Sequence, residues 1–189
     1  IKYMGSDKLT YFDTHKVAIL LRGFHYKENY ATRSTFSSAA KLRYTVDFER
    51  VFLETFRKAI VNKLSDYDVF ISTYPSKKQE LLVKELDPAD TMFIGHDSRF
   101  QYKKKTQLTG MLSGLEILKS YADKNNINYD FVICLRLDLD LSENMLEVLS
   151  LDYDKFNFIT EGHRGFCGRR ASDRWHMFSY DLIDQVYDS

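Results

Sequence analysis

Proline is almost missing: two residues in 189 leave no room for a Pro-rich linker. Cysteine is equally scarce. Cys134 and Cys167 alone build neither a disulfide scaffold nor a multi-cysteine zinc site. Cys134 lies inside an apolar run and reads as a buried free thiol rather than half of a disulfide. Net charge is absent too, with 27 Lys and Arg against 27 Asp and Glu, so the basic excess of a nucleic-acid binder is not there. No apolar run approaches the ~18 residues of a membrane span, and no signal peptide is visible. A soluble, cytoplasmic chain without a membrane span is expected. The chain opens on Ile1 and stops within a helical pattern, which fits a piece of a longer protein, so missing targeting signals carry little weight.

What is present is a globular composition: 44% hydrophobic, 29% charged and 15% aromatic residues, the last favouring a packed core over disorder. Short continuous apolar runs end in polar residues at Lys16–Gly23, Asp68–Thr73, Thr91–Gly95 and Phe131–Leu135, as buried strands of a parallel sheet do. Between them, Phe48, Phe52, Phe56, Ala59, Ile60 and Leu64 mark a helix over 44–64. Ser76-Lys77-Lys78-Gln79 fits a capping box opening a helix that stops at Asp87-Pro88. Leu108, Met111, Leu112, Leu115, Leu118 and Ala122 mark another helix, closed by Asn125-Asn126. Residues 24–42 read as a long functional loop with at most a short helix. Ser142 reads as the cap of a short helix through Leu149, 155–160 and 175–180 as late strands, and the end of the chain as a helix. Strand and helix alternate throughout, giving one α/β Rossmann-like domain over 1–189, with a central, mostly parallel sheet flanked by helices.

Chemistry concentrates at aspartates. Asp-x-Asp occurs three times, at Asp66/Asp68, Asp138/Asp140 and Asp152/Asp154, and chance alone yields about two. The first and third copies fall in polar turns and read as solvated loop residues. Asp138/Asp140 instead follows the strongest strand, and ligands of open α/β sheets gather at the carboxyl ends of strands. Two carboxylates pointing the same way there repel each other unless a hard divalent cation sits between them. Mg²⁺ or Mn²⁺ held by Asp138 and Asp140 would then bridge to a diphosphate. A pair of rim carboxylates around Ser142 is the plain structural alternative. Arg136, two residues upstream on the same face as Asp138, suits either a phosphate contact or an ion pair with Asp138.

The strand-then-Asp-Leu-Asp pattern, with a first strand ending in Arg22-Gly23, a second reading Asp-Val-Phe-Ile-Ser-Thr-Tyr and a third ending in Arg-x-Asp-x-Asp, resembles the small GT-A-fold glycosyltransferases. By size it is similar to the capsid-glycan enzymes of large algal viruses. The resemblance spans roughly residues 16–180 as pattern. It implies a glycosyltransferase catalytic domain moving a sugar from a nucleoside-diphosphate sugar, UDP favoured, to a glycan or glycoprotein acceptor. It also implies Asp138 and Asp140 as metal carboxylates, Asp140 the safer direct ligand. Arg22, Gly23, Thr73, Tyr74, Lys104, Arg136 and Asp138 fall where the nucleotide and its phosphates would be contacted. Lys103, Lys104 and Lys105 precede a helix start, where phosphate is attracted, although charge runs are commonly just solvated; Arg99 and Gln107 are weaker contacts. In the Gly- and Arg-rich segment 161–176, Asp173, with Glu161 second, would be the base of an inverting enzyme. Trp175 reads as core packing ahead of sugar stacking, and His163 and His176 as structural ahead of metal ligands. Two other readings stand: a haloacid-dehalogenase-like phosphatase with Asp138 as nucleophile, disfavoured by the late position of the motif, and a non-catalytic nucleotide-sugar-binding module.

Overall fold

The apolar runs do form the centre of a sheet. The computed structural model describes residues 14–31, 43–95, 107–148, 152, 155–158 and 175–188. Its strands are β1 (Lys16–Gly23), β2 (Tyr26–Ala31), β3 (Arg43–Asp47), β4 (Asp66–Thr73), β5 (Asp90–Phe93), β6 (Phe131–Arg136), β7 (Asn157–Phe158) and β8 (Trp175–Ser179). Six of them make one sheet in the order β5-β4-β1-β6-β8-β7, and β2 and β3 form a separate antiparallel ribbon. β1 pairs in parallel with both β4 and β6, and β4 in parallel with β5. β8 runs antiparallel to β6 and to β7. The architecture is therefore α/β with a mostly parallel sheet, compatible with a Rossmann-like fold.

The helices are α1 (Phe48–Val51), α2 (Leu53–Ala59), α3 (Gln79–Leu86), α4 (Gln107–Asn125), α5 (Met145–Val148) and α6 (Ile183–Asp188). Strand alternation divides the core in two. Val17, Ile19 and Leu21 of β1 face the cluster that takes Phe48, Phe52 and Phe56 from α1, α2 and the residue between them, and Leu82 and Leu86 from α3. Ala18 and Leu20 face the cluster that takes Leu115, Leu118 and Ala122 from α4. Winding explains this split. The chain passes β1, β4, β5 in one direction, then crosses back to place β6 on the other side of β1. Right-handed crossovers in opposite directions must put their helices on opposite faces. α4 is the returning crossover.

α4 also lies very close to the sheet. An ideal Cβ on Gly110 would stand 3.9 Å from Arg22 Cβ, whereas one on Gly114 would stand 2.8 and 3.0 Å from Leu20 Cδ2 and Cγ. α3 and α4 both end in left-handed residues, Asp87 (φ 41°) and Asn126 (φ 53°), which stop a helix by turning its last carbonyls.

Several expected boundaries move. Residues 44–47 belong to β3 and not to a helix, which begins at Phe48 with Asp47 accepting from the Glu49 N–H. The loop expected over 24–42 contains β2. Ser76 does not cap α3 directly. Lys78 occupies the N-cap position, and the Ser76 hydroxyl accepts from the Lys78 N–H one turn earlier. Ser142 likewise heads the turn before α5, its carbonyl accepting from Met145 N–H. Of the strand expected at 155–160, the described part is the two-residue β7.

Candidate active site at the carboxyl ends of the strands

Because β4 and β5 lie to one side of β1 and β6 to the other, the direction of winding reverses between β1 and β6. A crevice opens at such a switch point, outside the carboxyl ends of the two strands. Arg22 and Arg136 meet there in register, followed by Gly23 on one strand and Leu137, Asp138, Leu139 and Asp140 on the other. The ladder runs one step beyond β6, the Leu137 N–H donating to the Arg22 carbonyl at 3.0 Å.

The Asp-Leu-Asp segment takes its shape from its leucines. Leu137 and Leu141 are buried in the first core cluster and Leu139 packs against it. Asp138 and Asp140, alternating with them, stay half-buried and exposed respectively. Arg136 grips Asp138 with two hydrogen bonds, Nε to Oδ1 at 2.8 Å and Nη2 to Oδ2. Of the two roles the sequence left open for Arg136, the ion pair with Asp138 is the one the side chains make here. Asp138 already balances a cation, and Asp140 is the carboxylate more available to solvent. Among the described residues no group of three or more His, Cys, Asp or Glu surrounds a common point. His176 does not join the aspartates in such a group: it is buried on β8, pairs in register with Cys134, and its ring lies 5.3 Å from that of Phe156. Two oxygen-only side chains suit Mg²⁺ or Mn²⁺, which complete their shells with water and substrate phosphate rather than with a full protein cage.

The other two Asp-x-Asp copies are elsewhere. Asp66 and Asp68 are not in a turn but open β4, at the amino end of the sheet. There Lys16 Nζ lies 2.7 Å from Asp66 and 3.2 Å from Asp68, and Tyr129 donates to Asp68 at 2.7 Å. That cluster ties β1, β4 and the entry to β6 together, and burial with the Asp68 bond pushes the Tyr129 hydroxyl pKa up. Asp152 pairs with Lys155 at 2.5 Å, and Asp154 lies outside the described residues.

Around the crevice, Arg22 is buried at 2% exposure on the α4 face, beneath Gly110. Gly23 has φ +93°, a conformation that glycine adopts without strain. Thr73 is fully buried and donates to the Gly23 carbonyl at 2.6 Å, bonding the end of β4 to that of β1. Tyr74 is buried and stacks on Phe24, ring centroids 4.7 Å apart, with burial raising its hydroxyl pKa. Lys27 lies 4.3 Å over the other ring of that pair, Phe24. Trp175 is core, buried among the first cluster beside Leu135. Cys134 is a buried free thiol, pushed up to about 12 by burial. Lys104, Glu161 and Asp173 lie outside the described residues, as do Arg99, Lys103, Lys105, His163 and Cys167.

One residue of this site has no signal in the sequence. His25, 1% exposed, accepts or donates at both ring nitrogens: Nδ1 is 2.8 Å from Thr73 Oγ1 and Nε2 is 2.6 Å from Ser76 Oγ. A lone histidine 48 and 51 residues from its partners offers no spacing to notice. No known protein-family model matches the chain, and no curated protein matches it.

Proposed function

We propose that the chain is a metal-dependent glycosyltransferase of the GT-A type, acting on a nucleoside-diphosphate sugar. The observation that carries this reading is positional. The one Asp-x-Asp that follows a buried central strand stands at the point where the winding of the sheet reverses, beside Arg22 and Gly23 of β1. Asp140, with Asp138, would hold Mn²⁺ or Mg²⁺, and the metal would offset the charge of the leaving diphosphate. Arg22 and Arg136 supply positive charge on the same face, so they favour an anionic leaving group over a neutral one. The stacked Phe24 and Tyr74 offer an aromatic edge where the base would lie. Glu161 or Asp173 would take the acceptor proton if the reaction inverts the anomeric centre. UDP is the favoured nucleotide and a glycan or glycoprotein the acceptor.

The test is a thermal-shift panel of UDP, GDP, CDP and their sugars, with and without Mn²⁺. A nucleoside diphosphate should raise the melting temperature only when the metal is present, and Asp140→Ala should remove the rise. Absence of any metal-dependent shift across the panel rules the reading out. An unchanged shift in Asp140→Ala moves the metal elsewhere.

A further inference from the structure

We propose that His25 is a positioning residue, a buried latch that holds the ends of β1 and β4 in the arrangement the donor site needs. The proposal rests on the glycosyltransferase reading and extends it to a residue with no place in the sequence pattern.

The bond directions follow from one fixed acceptor. The Gly23 carbonyl can only accept, so the Thr73 hydroxyl spends its proton there, at 2.6 Å. Thr73 Oγ1 must then accept from His25, which puts the ring proton on Nδ1. Nε2 is left as an acceptor and takes the Ser76 hydroxyl proton at 2.6 Å, while Ser76 Oγ accepts from the Lys78 N–H at 3.1 Å. His25 also uses its carbonyl, which accepts from the Phe48 N–H at 2.9 Å. The imidazole thereby joins β4 to the turn before α3, and through Thr73 to the end of β1, while the backbone carbonyl of the same residue holds the start of α1. Gly23, Thr73 and Tyr74, three residues assigned to the donor, are each bonded to this chain or adjacent to a member of it.

A Ser–His contact is also the geometry of a nucleophile and its base. Two facts argue against that use. Burial drives the imidazole pKa down to about 4, leaving a weak base at neutral pH. Its third partner is a hydroxyl already committed to Gly23, not a carboxylate that would stabilise an imidazolium.

The experiment has two independent readouts on the whole chain. The first needs no ligand: ring ¹⁵N shifts of His25 should show a neutral, Nδ1-protonated tautomer, and an Nε2-protonated ring overturns the latch. The second is the dissociation constant for UDP in Mn²⁺, by titration calorimetry. His25→Phe keeps the ring and loses both bonds, so affinity should fall roughly tenfold or more. His25→Asn, which can still donate to Thr73, should recover part of it. Should His25→Phe not fold, Ser76→Ala, losing one partly buried hydroxyl, serves the same comparison. Wild-type affinity in a folded His25→Phe or Ser76→Ala overturns the positioning role alone. A wild-type chain that binds no nucleoside diphosphate overturns the glycosyltransferase reading, and the role with it, while the ring spectrum still decides whether the latch exists.

Discussion

Replacing Gly114 and Gly110 one at a time by alanine separates two effects that usually travel together. Each substitution removes a helix-interior glycine from α4 and gains up to about 1 kcal/mol of helix propensity. The gain is common to both, so it cancels in their difference. What remains is the approach of α4 to β1. At Gly110 the new methyl meets Arg22 Cβ at 3.9 Å, ordinary contact. At Gly114 it meets Leu20 Cδ2 and Cγ at 2.8 and 3.0 Å, and Cδ1 closer still. Leu20 is fully buried in the middle of β1 and cannot swing into solvent. Overpacking of this kind costs about 1–3 kcal/mol. Gly114→Ala should therefore melt below Gly110→Ala by roughly 2–12 °C, at about 2–4 °C per kcal/mol for a chain of this size. The assay is thermal unfolding by circular dichroism, and Leu20→Val should relieve Gly114→Ala more than it helps wild type. A Gly114→Ala chain as stable as Gly110→Ala refutes the close packing on which the placement of α4 over Arg22 depends.

Other outcomes follow from single sites. His25 has its pKa lowered from 6.5 to about 4 chiefly by burial, with Asp47 pulling the other way. The unfolded chain therefore binds a proton that the folded one refuses, and His25's contribution is full above pH 6.5 and lost as pH falls toward 4. The loss is on the order of 3 kcal/mol, and the stability–pH slope of His25→Gln, followed by urea unfolding, should be flatter in that window; an identical slope removes His25 from the acid response. Arg136→Met should tighten binding of Mn²⁺ alone, because Asp138 loses a competing cation, yet weaken Mn²⁺-dependent UDP binding, because the diphosphate loses a positive neighbour. Calorimetric changes of the same sign in both would contradict the shared-carboxylate picture. Asp87→Gly removes a left-handed L-residue from an exposed helix end and should raise stability by up to about 1 kcal/mol; a fall would show that the Asp87 side chain has a role of its own.

The central strands were legible because β1, β4 and β6 are buried on both faces, and double burial writes itself as an unbroken apolar run. Residues 44–47 were misread for a related reason. Tyr44 sits four positions before Phe48 and so extends the helical stripe, while the strand β2 that captures it shows no apolar alternation. Ser76 was read as the head of a capping box, but its hydroxyl is drawn to His25, a partner that only the fold supplies. The direction of β8 left no trace, since alternation looks the same either way along a strand. Arg22, Gly23, Thr73, Tyr74, Arg136, Asp138 and Asp140 were legible as candidates because each ends or follows a strand. His25 was not, because it sits beyond the end of β1 and acts through two hydroxyls distant in sequence.

The alternation Leu137-Asp138-Leu139-Asp140-Leu141 has a consequence for how this chain can change. Its carboxylates owe their positions to the leucines between them, which pack into the core. Trimming Leu139 would loosen the spacing of two charged groups without removing either, so under the proposed function the metal affinity of this crevice would drift through substitutions in the interior. Any comparison of variants that watches only the acidic residues would miss where such tuning originates.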